Sequence, residues 1–229
     1  MNAREEYRSR KKMFENLEKM SFDASSGKYD IPTLLPVDRI DDGIDFIPFN
    51  FAKTAKSYDI GVHFFIDDYQ FDRLWSKPDR YCEILKPFRY VLSPDFSIYW
   101  DVPIAVQIWK HYQKQWIGCY MQSKGIDIIP TIAWSDERSF DFCFDGIPKD
   151  SAIAISSVGT QEKEISIKLF EKGFNEVIQR LRPTQILLFG KIPKNLDVAL
   201  VFMKNGTLIT HIPHYFDVKF KKLRHGRKG

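Results

Sequence analysis

The 229-residue chain has few cysteines and no long hydrophobic run. Its three cysteines stand in no CxxC pair or other close ligand spacing, so neither a disulfide framework nor a cysteine-rich zinc module is expected. No window reaches the roughly 18 consecutive apolar residues of a membrane span. The N-terminal segment is charged rather than apolar. We therefore expect a protein of the reducing cytoplasm, with no signal peptide and no membrane contact.

Several enzyme motifs are also missing. The chain has no GxGxxG or GxxxxGK[ST] loop, which disfavours the two common types of nucleotide-binding enzyme. It has no GxSxG nucleophile elbow, no HExxH zinc motif and no EF-hand loop. His211 and His214 are separated by Pro213, which argues against a metal pair on a helix.

Positive charge is present, and it is concentrated at the two ends. The formal net charge is +4, from 34 basic and 30 acidic residues. The first twenty residues sum to +2, residues 21–218 to −4 and the last eleven to +6. Such termini either contact the phosphates of a nucleic acid or are simply solvated. The candidate nucleic-acid-binding residues are Lys219, Lys221, Lys222, Arg224, Arg227 and Lys228.

From Gly43 onward, short β-branched and aromatic segments alternate with longer helical ones, a pattern typical of α/β domains. We predict one α/β domain over 43–218 with a mainly parallel or mixed sheet flanked by helices. A reduced or irregular barrel is the alternative. Residues 1–42 are predicted as an N-terminal helical extension and linker, and 219–229 as a basic tail. The predicted strands are 45–51, 61–66, 90–92, 126–132, 139–144, 152–156 and 185–189.

Local signals place the helices and one turn. Helices are predicted at 70–85, where Pro78 must bend or split the helix, at 101–125, and at 161–181. Segments 196–203 and 207–212 flank Asn205-Gly206, a common hairpin turn, so a C-terminal hairpin is predicted. Cys119 and Cys143 lie in apolar segments and are predicted to be buried and inert.

Residues 90–192 contain several distinctive blocks: Ser93-Pro94-Asp95-Phe96-Ser97, Gly125-Ile126-Asp127-Ile128-Ile129-Pro130, Trp134-Ser135-Asp136 and Phe142-Cys143-Phe144-Asp145-Gly146-Ile147. On these blocks the chain resembles a family of phage, plasmid and integrated-element proteins known as domain of unknown function 4417. The resemblance implies a mobile-element origin in a bacterial host and transfers no activity. Lys114-Gln115-Trp116 departs from it, because an Arg-rich patch would be expected there.

Aspartates follow the predicted strands, with Asp67 and Asp68 together after the strand 61–66, and the candidate catalytic residues among them are Asp67, Asp95, Asp136 and Asp145. The carboxyl ends of parallel strands meet at one edge of a sheet, so these four side chains are predicted to converge as catalytic residues. Converging carboxylates bind a divalent metal ion such as Mg²⁺ or divide the roles of general acid and base. The alternative is structural, since aspartate also caps helices and Asp-Gly forms turns.

A second candidate site lies at the junction between a predicted strand and a predicted helix. Backbone N–H groups at Ser157, Gly159 and Thr160 are placed to hold a phosphate or another anion. A plain strand-to-helix turn is the alternative interpretation.

Three functions remain open from these patterns. The first is an accessory protein of mobile-element DNA or RNA metabolism that grips phosphates without reading bases. The second is a metal-dependent or acid–base hydrolase that uses the clustered aspartates on a phosphoester or sugar-like substrate. The third is a non-catalytic binder of a host or mobile-element protein.

Overall fold

Seven strands and five α-helices build the part of the chain that the structure, a computed structural model, describes, namely residues 14–22, 27–213 and 215. The strands are β1 Phe46–Pro48, β2 Gly61–His63, β3 Tyr90–Leu92, β4 Ile128–Ile129, β5 Ala152–Ser156, β6 Gln185–Phe189 and β7 Leu208–Ile212. The helices are α1 Arg73–Ser76, α2 Pro78–Leu85, α3 Ile104–Ser123, α4 Glu164–Leu181 and α5 Val198–Asn205.

All pairs between these strands are parallel. Strands β1 to β4 form one sheet and β5 to β7 a second, each in chain order. A parallel bridge between Thr131 and Ala154 joins the two sheets, with Ala154 N–H donating to Pro130 O at 2.8 Å. The α/β prediction with a mainly parallel sheet is confirmed, and the sheets do not close into a barrel.

The second sheet lies between two hydrophobic cores because its side chains alternate. Leu187 and Phe189 join the core formed with β1 to β4 and α2, and the Phe189 ring lies 5.3 Å from that of Phe46. Ile186 and Leu188 point the other way and pack with α4. Burying each such side chain contributes about 1.5–3 kcal/mol, so this period-two pattern fixes which face of β6 meets which core.

The C-terminal hairpin prediction is wrong. Residues 198–205 form α5, which Asp197 caps by accepting from Leu200 N–H at 2.9 Å, and β7 pairs parallel to β6. Gly206 adopts φ +72° and ends the helix. A glycine with positive φ can end a helix as well as form a hairpin turn. Here the Asp197 cap stabilises the helix that precedes it.

The predicted strand 139–144 is also wrong. A 3-10 helix, Glu137–Asp141, occupies most of it, and Asp136 caps that helix by accepting from Arg138 N–H. Phe142 and Cys143 are still buried, because the turn that follows directs both side chains into the core beside α4.

The helix predictions agree with the structure more closely. Pro78 splits the first helical segment into α1 and α2, where it occupies the first turn of α2. Helix α3 starts after Pro103 rather than at Asp101, and Gly125 follows its end at φ +78°. For the helix predicted in the N-terminal extension, residues 1–13 lie outside the described part, and Phe14 to Lys19 form turns. None of the described helices is long and apolar enough to cross a bilayer.

Candidate functional site

A cavity of about 400 Å³ lies where β3, β4 and β5 end at their carboxyl termini. This is the edge at which parallel α/β sheets bind ligands, and the volume falls within the range of small-molecule pockets. Loops after the three strands and the start of α4 form its wall. The lining residues are Asp95, Ser97, Ile98, Tyr99, Trp100, Ile132, Ala133, Trp134, Ser135, Ile155, Ser156, Val158, Gly159, Thr160, Ser166, Leu169 and Phe170.

Asp95 is the carboxylate of this cavity, and its environment is unusual. Its Oδ1 is fully buried and has no hydrogen-bond partner in the described part of the chain. Burial raises the pKa of Asp95 to about 6, and the nearby Asp68 charge adds to the rise while the Lys114 ammonium opposes it. The carboxyl group therefore changes protonation near neutral pH, as a general acid or base must.

The carboxylate that the structure brings to Asp95 is Asp68 rather than Asp67. Asp68 accepts hydrogen bonds from Ser97 N–H at 3.0 Å and Ser97 Oγ–H at 2.9 Å, and its Oδ2 lies 2.7 Å from Lys110 Nζ. Asp67 is exposed, and its side chain makes no capping hydrogen bond to the 3-10 helix that follows. Asp68 thus ties the end of β2 to the loop that carries Asp95.

Helix α3 turns a polar face toward the interior of the protein. Gln107, His111, Lys114 and Gln115 are all buried, at the spacing that places them on one side of the helix. Lys114 has only 1% of its surface exposed. Burial lowers the pKa of Lys114, and the Asp95 carboxylate opposes that change. An amphipathic helix normally buries its apolar side, so this polar face requires partners inside the protein.

Those partners are only partly present. Gln107 Oε1 accepts from Ser135 Oγ–H at 2.7 Å, and His111 Nε2 lies 2.8 Å from the backbone oxygen of Asp145. His111 Nδ1 and Gln115 Oε1 are buried without a hydrogen-bond partner among the described residues. Burial, together with the Lys114 charge, lowers the pKa of His111 to about 3, so the ring is neutral at physiological pH.

Asp136 supports the cavity from just outside it. Its carboxylate accepts from Arg138 N–H at 3.0 Å and pairs with the Arg138 guanidinium at 2.8 Å, which lowers the pKa of Asp136. The same guanidinium donates to the backbone oxygen of Trp100 at 2.7 Å. Asp136 is therefore a cap and an anchor for the cavity rim, and it does not line the cavity.

Asp145 lies in a different place. It lines a separate cavity of about 460 Å³ together with Arg180 and Arg182. Burial raises the pKa of Asp145, the Lys28 charge opposes the rise, and its Oδ2 is buried without a described partner. Within the described residues, no group of three or more His, Cys, Asp and Glu side chains is placed to hold a metal ion.

Gly159 and Thr160 of the predicted anion site do line the cavity. Ser157 does not line it, and its polar groups are hydrogen-bonded to the end of β6. The Ser157 hydroxyl lies 3.1 Å from Phe189 O and 2.6 Å from Lys191 O, and its N–H donates to Phe189 O at 2.8 Å. Ser157 thus fastens the loop after β5 to the end of β6. The six basic residues of the tail, Lys219 to Lys228, lie outside the described residues.

Sequence reasoning placed Asp68 at the end of the same strand but chose Asp67 of the two, and it missed Lys114 and the aromatic rim of the cavity. A signal for the buried polar face was available, because Gln107, His111, Lys114 and Gln115 recur at helical spacing. The apolar residues of the same helix concealed it, since Trp116 and Tyr120 indicate a conventional hydrophobic face.

Comparison with known proteins gives a consistent set of matches. The family described as "Domain of unknown function (DUF4417)" matches residues 23–206. The chain is 40% identical over 190 residues to the Gene 1 protein of Mycobacterium phage L5, covering 80% of each chain. It is 34% identical over 213 residues to the Gene 1 protein of Mycobacterium phage D29, covering 90% of this chain and 74% of that protein. No solved structure is significantly similar to the chain.

Proposed function

The chain belongs to the DUF4417 family, with phage-encoded relatives, and from the geometry of its cavity we propose that it is an acid–base hydrolase of a small sugar-like substrate, with Asp95 as its acid and base. The observation that carries the proposal is the Asp95 carboxyl group, which lines a ligand-sized cavity and has a buried, unpartnered oxygen. A buried carboxylate without a partner is costly, so such an arrangement points to a role in binding or catalysis.

The lining of the cavity selects the class of substrate. Asp95 is its one carboxylate, and no lysine or arginine lies among the described residues of the wall. Lys114 lies behind Asp95 and already balances that carboxylate, so a phosphoester would bring a further negative charge to a wall with no cation of its own to receive it. Hydroxyl groups line the wall instead: those of Ser97, Ser135 and Thr160 donate within the protein and can accept from a sugar hydroxyl, and those of Ser156 and Ser166 can also donate to one.

The chemistry follows from the protonation of Asp95. In its protonated form it donates a proton to the leaving group as the glycosidic bond breaks. Water supplies the hydroxyl group to the sugar carbon, and its remaining proton passes to the Asp95 carboxylate, which restores the starting state. The Lys114 charge stabilises the carboxylate between these two steps, because it favours the ionised form.

A panel of methyl glycosides, whose alcohol leaving group needs a proton, assayed for released sugar between pH 4 and pH 8 tests this proposal. We expect hydrolysis by the full chain, and a rate that falls as pH rises through about 6, because the acid form of Asp95 is then lost. Asp95→Asn should lower the rate by about 100-fold or more. Asp67→Asn, at an exposed carboxylate of the neighbouring loop, is the matched control and should leave the rate unchanged. Equal rates for Asp95→Asn and the unmodified chain would exclude Asp95 as the acid.

A second candidate function is nucleic-acid contact through the termini. It is supported by the six cations within the last eleven residues of a chain whose central part is net acidic. Such a segment releases counterions when it binds phosphates and reads no sequence. This role is compatible with the first, because the tail and the cavity use different residues.

A further inference from the structure

The mouth of the cavity is surrounded by exposed apolar side chains. Tyr99 and Trp100 line the cavity and are each 60% exposed, and Val158 on the opposite loop is 51% exposed. Large apolar side chains at the entrance of a polar cavity mark a surface that contacts a ligand with a flat or apolar part.

Part of this aromatic wall is held in place, namely the backbone of Trp100 and the ring of Trp134. The backbone of Trp100 is fixed by the Arg138 guanidinium, which in turn is paired with Asp136. Deeper in the wall, Trp134 donates from Nε1 to Leu169 O at 3.0 Å, and its ring lies 5.4 Å from that of Phe170. A preorganised ring loses little entropy when a second ring stacks on it.

The interior of the cavity offers a complementary polar edge. The protonated Asp95 carboxyl group donates to a ring nitrogen of the base, the kind of atom that takes up the bonding electrons when the N-glycosidic bond breaks. The Ser97 and Ser135 hydroxyls already donate to Asp68 and Gln107 and so offer lone pairs that accept, whereas the Ser156 hydroxyl accepts from Val158 N–H and keeps its proton to donate. The absence of a cation from the described wall leaves phosphate groups outside the cavity. These features together suit a planar, nitrogen-bearing ring attached to a sugar.

Resting on the proposed function, we propose that the substrate is a nucleoside, with its base stacked between the aromatic rim and the wall and its N-glycosidic bond presented to Asp95. The same chemistry occurs in a free nucleoside and in a base turned out of a single strand. A base in a strand would enter through the mouth while its backbone stays at the surface, as in enzymes that act on extruded bases.

Titration of the full chain with adenosine, guanosine, cytidine and uridine, followed by calorimetry and tryptophan fluorescence, tests the proposal. We expect at least one nucleoside to bind and Trp100→Leu to weaken its affinity by about tenfold or more, because stacking on the rim is lost. Phe202→Leu is the matched control: Phe202 is a 55% exposed aromatic residue on α5 that does not line the cavity, and its loss should leave binding unchanged.

Further measurements distinguish a free nucleoside from a base in a single strand. They also distinguish a wrong nucleoside assignment from a wrong hydrolase proposal. A short single-stranded oligonucleotide that binds more tightly than the nucleoside, with the same dependence on Trp100, assigns the base to a strand. Nucleoside binding without oligonucleotide binding assigns it to the free form. If methyl glycosides bind as well as nucleosides and Trp100→Leu has no effect, the nucleoside assignment is wrong while the hydrolase proposal stands. If no nucleoside or glycoside binds, both are overturned.

Discussion

At the scale of single residues, folding shifts the pKa values of Asp95, whose Oδ1 is buried, and of the buried His111 in opposite directions. The pKa of Asp95 is raised to about 6, and that of His111 is lowered to about 3. Both lie beside Lys114, whose charge favours an ionised carboxylate and disfavours an ionised imidazole. The site therefore stabilises the neutral histidine and leaves the carboxyl group close to half-ionised near pH 6.

The Asp95 group should make the folded state less stable as pH rises. Its pKa is higher in the folded chain than in the unfolded chain, where it is 3.8, so stability is full below pH 3.8 and falls as pH rises through about 6. We expect Asp95→Asn to remove this loss. Its free energy of unfolding relative to the unmodified chain should rise by up to about 3 kcal/mol between pH 4 and pH 7, measured by urea denaturation.

The corresponding test for the histidine is His111→Gln, a substitution that keeps a hydrogen-bond donor toward the Asp145 carbonyl. The pKa of His111 falls from 6.5 to about 3 on folding, so its contribution is present above pH 6.5 and is lost as pH falls toward 3. The glutamine variant should therefore lose less stability than the unmodified chain on acidification. If the unfolding free energies of Asp95→Asn and His111→Gln, each relative to the unmodified chain, changed with pH in the same direction, the opposite pKa shifts of Asp95 and His111 would be wrong.

At the scale of elements, the cavity depends on how closely α4 approaches the loop after β4. A Cβ atom added at Gly173 would lie 2.1 Å from Trp134 Nε1, so the indole occupies the space that any other residue would need. The Trp134 hydrogen bond to Leu169 O holds the ring against the same helix. Glycine in the middle of α4 is thus explained by a wall residue of the cavity.

The sign of the stability change caused by Gly173→Ala tests whether the Trp134 ring requires a glycine at this position. In an exposed helix this substitution stabilises by up to about 1 kcal/mol. Here we expect it to destabilise by about 1–3 kcal/mol, because the new methyl group displaces the Trp134 ring. Thermal unfolding measures the change, and a shifted tryptophan emission would report the displaced ring. Lys168→Ala, at an exposed position of the same helix, should shift stability by less than about 0.5 kcal/mol.

The sequence predicted some elements well and others poorly, for physical reasons that differ. β5 and β6 are apolar runs bounded by clear turn residues, and both agree with the structure at each end. Residues 139–144 alternate like a strand, but the Asp136 cap and local turns override that pattern. Asn205-Gly206 was ambiguous because a hairpin and a helix terminus need the same backbone conformation.

At the scale of the whole molecule, the candidate site was only partly predictable. The location at the carboxyl ends of parallel strands follows from the α/β pattern, and Asp95 was predicted to lie there. Which other aspartates join it depends on loop paths that no local signal encodes. The loop after β2 turns so that Asp68 reaches Ser97, and the 3-10 helix engages Asp136 as its cap.

The distribution of charge over the chain gives a further prediction. Deleting residues 219–229 removes six cations and leaves a net acidic chain. We expect this truncation to weaken nucleic-acid binding and to reduce the slope of log affinity against log salt by up to about five, measured by fluorescence anisotropy with a labelled duplex. A point-charge control that keeps the length, Lys221→Gln with Lys222→Gln, should reduce the slope by about two. Unchanged binding after truncation would remove the tail from this role.

The order of the strands has a consequence for synthesis on the ribosome. Each strand pairs with the strand before it in the chain, and the bridge at Thr131 continues that order from β4 to β5. A nascent chain can therefore extend each sheet one strand at a time, because every new strand pairs with the strand that was synthesised before it. Early side chains such as Phe46 still acquire their packing partner Phe189 late, but no strand waits for a distant later strand to pair with it, which limits the time that an unpaired edge is open to aggregation.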